Sequence, residues 1–353
     1  MNNGKNLFQR TLRFWFPVLA IIIPLIVIAL AGKNVGSLAF QRTVTEMMIS
    51  IVVVVGLYVF VGNSGIISFG HATFMAIAAY ASAWQTCCEM LKPITMSGLP
   101  AFVRDQSIPL LPSALISVLL AGVAAALSGL ILMRLTGLAA SISTLALLFI
   151  LNVVYSNWDS VTMGTASIVG LPTYVTTTTA LVCAVFVIIV AYLYQTSRFG
   201  LAIRATREDE VAAAASGISL YWSRLIAFTL SGFMVGIGGV LQAHFLGAVS
   251  INSFFLGLTF LSLAMLIVGG AGSLAGAVVG VVVITLLVDV FRRFEAGISL
   301  GGDTISIPAG SQELIIAAFM LCVLIFRKDG IMAGREFTWP RRQHTTNRLS
   351  NGS

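Results

Sequence analysis

The sequence predicts an all-α integral membrane protein of about ten transmembrane or re-entrant helices, with both termini in the cytoplasm. Two observations set the class. Hydrophobic residues make up 58% of the 353 residues and charged residues only 9%, too few charges to cover a globular surface of this size. The apolar residues also stand in continuous runs near the length that crosses a bilayer as a helix. A membrane β-barrel would alternate polar and apolar positions instead. A third observation, the placement of lysine and arginine, sets the orientation.

The first run, Phe14–Leu30, follows Lys5, Arg10 and Arg13 and ends on Ala29-Leu30-Ala31, which has the look of a signal peptide. It is longer than the roughly 7–15-residue core of such a peptide. It reads as an uncleaved first helix behind a cytoplasmic tail at 1–13. Val44–Val61 and Ile66–Trp84 follow, then Leu110–Met133, Leu138–Tyr155 and Ala180–Tyr194. A polar stretch at 196–224 interrupts the pattern. Leu225–Phe245, Phe254–Val268, Leu274–Phe291 and Leu314–Phe326 complete the membrane domain, 14–326, before a basic tail at 327–353 that is expected to be disordered. Several runs fall short of a full span, so some tilt, break or re-enter; Gly62–Phe74 and Gly269–Gly280 are the candidates.

With the N-terminus inside and ten spans, the inner segments hold Lys5, Arg10, Arg13, Arg134, Arg198, Arg204, Arg207, Arg224 and the six basic residues from Arg327 to Arg348. The outer segments hold Lys33, Arg42, Lys92, Arg104, Arg292 and Arg293. This bias places both ends and the 196–224 stretch in the cytoplasm. The net charge of +7 is of the kind that flanks membrane helices, so lipid rather than nucleic acid is the expected surrounding. Cys87 and Cys88 are adjacent, Cys183 and Cys322 lie in apolar runs, and His71, His244 and His344 are dispersed. No metal-ligand spacing results.

The polar stretch carries the most information. Thr206-Arg-Glu-Asp209 has capping-box spacing, which predicts a helix of about ten residues beginning there. Glu208, Asp209 and Glu210 then lie in its first turn, where the helix dipole favours anions. Ala212 to Ala215 favour helix, and Gly217 suits the left-handed position that ends one. A helix this short is marginal alone. Two readings stand: a solvated loop helix without a partner, or a docking element for a soluble protein.

Glu210-Val-Ala-Ala-Ala-Ala-Ser-Gly217 resembles the cytoplasmic "EAA…G" loop of ABC-importer permeases. The wider stretch from Ser197 to Ile218 resembles the branched-chain amino-acid permease family in its LivM-type subunit. Other segments agree in the family's order. Gly62-Asn-Ser-Gly-Ile-Ile-Ser-Phe-Gly-His-Ala-Thr-Phe74, followed by Ala79-Tyr80, resembles its "G-x-x-G-x-x-S-x-G-H-x-x-F" element. Gly164 to Pro172 resembles its glycine-containing external loop, and Gly269-Gly-Ala-Gly-Ser-Leu-Ala-Gly276 its "GGxGSxxG" element. Phe326-Arg-Lys-Asp-Gly330 stands where the family has "F-R-P-x-G", without the proline.

The resemblance, over residues 44–330, implies a non-catalytic permease subunit of a bacterial inner-membrane importer. Such a subunit works with a second homologous permease, two cytoplasmic ATP-binding subunits and a periplasmic solute-binding protein. Thr206, Glu208, Asp209, Glu210, Ala212, Ala213 and Gly217 fall in its coupling helix, which docks on an ATPase. The chain lacks a G-x-x-x-x-G-K-[ST] phosphate loop, so it is expected to bind no cofactor, with ATP-Mg used by the partner subunits. The family handles hydrophobic amino acids most often, and relatives handle urea, amides and aromatic acids. An ion-coupled secondary transporter is the alternative of a different class. Asp159 and Asp289, near segment ends, offer it little as ion-coupling sites. A membrane scaffold would explain the hydrophobicity but not the ordered motifs.

The remaining polar positions have paired readings. Gly62, Gly65 and Gly70 either break a helix within the membrane, where freed backbone could face a cavity, or form a turn near the inner face. Asn63, Ser64, Ser68, His71, Thr144 and Asn152 could line a translocation path. His71 serves equally as a packing hydrogen-bond partner. Gly232, Gly236, Gly269, Gly270, Gly272, Gly276 and Gly280 suit close helix packing.

Overall fold

The computed structural model describes residues 2–34, 37–87, 92–295, 298–300, 303–305, 308, 311–327 and 329–337. Cys88, His344 and the tail beyond 337 lie outside them. Among the described residues, eight helices are long and apolar enough to cross a bilayer. They are α1 (Asn2–Asn34), α2 (Leu38–Ser64), α6 (Leu110–Leu132), α7 (Gly137–Ser156), α9 (Thr177–Thr196), α12 (Leu220–Leu246), α13 (Leu256–Gly269) with the 3-10 turn before it, and α14 (Leu274–Glu295). Two shorter apolar helices, α3 (His71–Thr86) and α15 (Ser311–Phe326), complete the ten apolar segments. Short helices α4 (Lys92–Thr95), α5 (Ala101–Arg104) and α8 (Asp159–Thr162) lie in connections, and α10 (Arg198–Glu208) and α11 (Glu210–Ala215) lie in the polar stretch.

The first helix begins at Asn2, so residues 2–13 of the expected tail are helical and continuous with the apolar part of α1. Its apolar part, Phe14–Asn34, is 28% buried over its most apolar window, against 89% for α2. The centre of the bundle is therefore α2, which packs with α12 and α9, while α12 also packs on α3 and α6. α6 and α7, 28% and 22% buried, turn rows of leucine, isoleucine and valine outward, as lipid-facing helices do.

Small residues let α12 approach three helices at once. A Cβ on Gly232 would collide with Ala125 and one on Gly236 would meet Ala121, both on α6. Gly239 lies against the Met75 carbonyl of α3. At the other crossing, Gly269, Gly276 and Gly280 bring the backbones of α13 and α14 into contact. Gly270, at φ +116, turns the chain between them, and Gly272 abuts Gly334.

The two ends of the bundle differ. At one end, β1 (Ile168–Val169), after α8, pairs antiparallel with β2 (Ala248–Val249), after α12. His244 ties the same loop down: its Nδ1 lies 2.9 Å from the Pro172 carbonyl and its Nε2 2.8 Å from the Ser82 hydroxyl. The carbonyl can only accept, so Nδ1 donates and Nε2 accepts. β3 (Ile298–Leu300) and β4 (Asp303–Ile305) form a hairpin between α14 and α15.

At the other end lie α10, α11, the α2–α3 connection and the α13–α14 turn. Of the tail expected to be disordered, the described residues 329–337 pack there. Ile331 N–H donates to Val268 O (2.9 Å) and Met332 N–H to Gly269 O (3.1 Å). Glu336 accepts from the amides of Leu274 (2.7 Å) and Ala275 (3.3 Å). A carboxylate on the first amides of α14 satisfies orphan donors and suits the helix dipole. Glu336→Ala is expected to cost about 1–2 kcal/mol locally, the scale of a lost N-cap. Hydrogen exchange of the 329–337 peptide should then rise while that of α12 does not.

Candidate functional site

The polar stretch folds into two helices, not one. Ser197 starts α10: its hydroxyl accepts from Gly200 N–H (3.3 Å). Thr206 is therefore inside a helix, buried, with its hydroxyl donating to Ile203 O (2.7 Å). The expected capping box at Thr206 does not form. Asp209, extended at φ −155 and ψ 111, breaks the helix and caps the next one, accepting from Val211 N–H (2.8 Å) and Ala212 N–H (3.0 Å). Both Thr206 and Asp209 are cap residue types, and the early start of α10 decides between them. The second helix, α11, has 6 residues, and Glu208 belongs to the end of α10.

The end of α11 closes on Gly217, at φ +81. Gly217 N–H donates to Ala214 O (3.0 Å) and Ile218 N–H to Ala213 O (3.1 Å), the paired bonds of a Schellman ending. Ala213 is buried, while Val211, Ala212, Ala214 and Ala215 are exposed. Val211 is 79% exposed and is the one large apolar side chain of α11. Glu210 forms an ion pair with Arg224 of α12. Arg224 is 3% exposed and Glu210 45%, so the pair bridges the bundle and the surface and holds α11 in place.

α10 is anchored to α2. Arg204 Nε donates to Asn63 Oδ1 (2.7 Å), and its terminal nitrogen donates to Tyr58 Oη (2.9 Å) and Gln195 Oε1 (3.1 Å). Tyr58 Oη donates in turn to Gln195 Oε1 (2.7 Å). Arg207 donates to Gly62 O (2.7 Å), one of the last carbonyls of α2, where a cation is favoured by the helix dipole. Asn63 thus faces Arg204.

After Gly65, which takes φ +74, the chain is irregular from 65 to 70 before α3 begins. Ile66, Ser68 and Gly70 are buried, while Gly65 and Ile67 are exposed. Ile66 N–H donates to Ser64 Oγ (3.1 Å) and Phe69 N–H to Thr144 Oγ1 (3.2 Å). Ser68 Oγ lies 2.8 Å from His71 Nδ1. His71 Nε2 is buried without a partner, among the rings of Phe60, Phe74 and Phe228. A cavity of about 10 Å³, near the size of one water, is lined in part by Ser68, His71, Thr259 and Ser262.

The structure therefore pairs Ser68 with His71, sets the Thr144 and Ser64 hydroxyls on amides of the same stretch, and turns Asn63 to Arg204. Asn152 stands apart, its amide nitrogen buried without a partner. The sequence reading singled out neither Arg204 and Arg207 as anchors nor the His244–Ser82 pair. Two arginines one helical turn apart in an apolar chain were the available signal for the anchors. Nothing local marked His244. Asp289 accepts from Thr43 Oγ1 (2.7 Å) and pairs with Arg293 (2.8 Å). Among the described residues no group of His, Cys, Asp and Glu could hold a metal ion.

The geometry puts family elements distant in sequence at one end of the bundle. Gly62 packs against Ala271 of the α13–α14 turn, and Gly270 against Asp329 and Gly330. A family model described as the permease component of branched-chain amino acid transport systems matches residues 39–324. The chain is 25% identical over 331 residues to the high-affinity branched-chain amino acid transport system permease protein LivM of Salmonella typhimurium, covering 88% of this chain and 74% of that one. It is 28% identical over 133 residues to LivM of Escherichia coli (strain K12), covering 38% and 28%. It is 26% identical over 148 residues to the autoinducer 2 import system permease protein LsrC of Shigella flexneri, covering 40% of each. The last two alignments thus span less than half of either partner. No solved structure matches the chain.

Proposed function

The chain belongs to the permease-component family of branched-chain amino acid transport systems and is an ABC-type, multi-pass inner-membrane permease, and on that premise we propose that α11 is the helix through which a cytoplasmic ATPase drives it. The observation that carries the proposal is α11 itself. It is capped at both ends, exposes Val211 and three small alanines, and is tied to α12 through Glu210 and Arg224. Small residues around one apolar side chain let another protein's surface approach closely. The ion pair passes any displacement of α11 to α12, which packs on α2, α3 and α6.

The permease is a two-state gate whose inward- and outward-facing populations are set by partners that bind them differently. The α10 end of the bundle faces the cytoplasm, in keeping with the lysine and arginine bias. The partners are a second homologous permease, two ATP-binding subunits that use ATP-Mg, and a periplasmic solute-binding protein. The solutes are branched-chain or other hydrophobic amino acids, a reading supported by the LivM relative of Salmonella typhimurium, whose alignment reaches most of the chain. The LsrC relative, which serves autoinducer 2 import, matches a shorter part.

Co-expression with the ATPase subunits and affinity purification of the permease tests the docking role. The wild-type chain should retain the ATPase. Glu210→Lys places a second cation beside Arg224 and should reduce recovery about tenfold, the effect of roughly 1.4 kcal/mol on binding. Equal recovery of the ATPase by both chains would count against α11 as the docking helix.

A further inference from the structure

We propose that Arg204 and Arg207 are positioning residues that link the docking helix to a gate element, the irregular stretch at 65–70 between α2 and α3. The inference rests on the reading of α11 as the ATPase-docking helix, which α10 joins directly at Asp209, and adds the route by which docking reaches the membrane helices.

Three features of the geometry support it. First, the arginines hold the end of α2 through neutral acceptors. Arg204 reaches Asn63 and Tyr58 on α2 and Gln195 on α9, and Arg207 reaches Gly62 O. No ion pair to either arginine occurs among the described residues. A guanidinium presents its donors in a rigid planar fork. α10 therefore cannot rotate without dragging Asn63 and Gly62 or breaking these bonds.

Second, the held residues immediately precede the one irregular stretch joining two packed helices at this end of α2. Arg207 also lies over Gly65, where a Cβ would meet its Cγ at 3.0 Å. Arg207 thus grips the start of the stretch, and Arg204 the last turns of α2 before it.

Third, the far side of the stretch is seated on another helix. Phe69 N–H donates to Thr144 Oγ1 (3.2 Å), and a Cβ on Gly70 would come 2.7 Å from Thr144 O. The stretch is held by α10 at its start and by α7 at its end, with His71 and Ser68 beside the small cavity where it enters α3. A pull on Asn63 and Gly62 has to be taken up in 65–70, because α2 and α3 on either side are packed against α12.

Hydrogen–deuterium exchange of the peptide covering 62–70 tests the link. In the purified full chain, Arg204→Gln with Arg207→Gln should speed exchange of 62–70 about tenfold by easing local opening, with α12 unchanged. In the complex with the ATPase, vanadate trapping should alter exchange of 62–70 in the wild type and leave it unchanged in the double variant, at equal trapped nucleotide. Asn63→Asp, which keeps the acceptor, should respond to trapping as the wild type does. Arg207→Gln alone is the milder variant should the double variant not fold. Unchanged exchange at 62–70 in the isolated variant overturns the link, as does a trapping response that survives in it. Loss of protection in α12 also overturns it, by showing a general folding role. If the wild-type chain does not bind the ATPase, the docking reading fails, and the isolated-chain comparison alone decides whether the arginines control 65–70.

Discussion

Gly217→Pro should abolish ATP-driven uptake while the membrane bundle stays folded. Gly217 sits at φ +81 and donates its N–H to Ala214 O. Proline has no N–H and is confined to φ near −65°. The substitution removes both bonds of the Schellman ending, because the Ile218 bond to Ala213 depends on the same turn. A loss of about 3 kcal/mol in a 6-residue helix would lower the docking-competent population about 100-fold. The damage is local. No atom outside the immediate chain lies within 4 Å of a Cβ at Gly217, and short exposed elements open without global unfolding. Uptake in membrane vesicles should fall to background while the amount of protein in the membrane, read by immunoblot, stays near wild type. A parallel loss of protein would show that α11 supports folding.

Gly239→Leu should have the opposite profile: no folded permease at all. Gly239 lies in α12 against the backbone of α3, where a Cβ would come 2.9 Å from the Met75 carbonyl carbon and closer to its oxygen. A backbone carbonyl inside a helix cannot move aside as a side-chain end can. The helices must separate, and α12 is also packed on α2 and α6, so three interfaces loosen together. Overpacking of this kind costs about 3 kcal/mol or more, enough to deplete a membrane protein several-fold. Gly257→Leu is the control, since a Cβ there meets nothing within 4 Å. Detergent extracts run on a size-exclusion column should show the monodisperse peak lost for Gly239→Leu and kept for Gly257→Leu.

The membrane architecture was legible because its cause is local. A run of apolar residues needs no distant partner to become a membrane helix, and all ten runs correspond to helices in the structure. The site was less legible because its causes are distant. Asn63 looked like a path residue when read beside Ser64 and Ser68; its partner, Arg204, lies 141 positions away. Thr206 looked like a cap because its spacing to Asp209 is right, but Ser197 had already started the helix and left Thr206 inside it. The tail past Phe326 looked disordered by composition, yet Glu336 finds the free amides of α14, a target visible only once α13 and α14 have folded together. Gly217 was readable because a left-handed helix ending is a property of the residue itself.

If α11 is the docking helix, ATP hydrolysis by a partner, acting on α11, drives solute through this chain. The direct measurement is uptake of radiolabelled leucine, isoleucine and valine by right-side-out or reconstituted vesicles holding the full complex and the solute-binding protein, with the internal energy source varied. Uptake should need ATP, stop with vanadate, survive collapse of proton and sodium gradients, and be lost in Gly217→Pro. Uptake that follows an ion gradient, ignores vanadate and survives Gly217→Pro would contradict it.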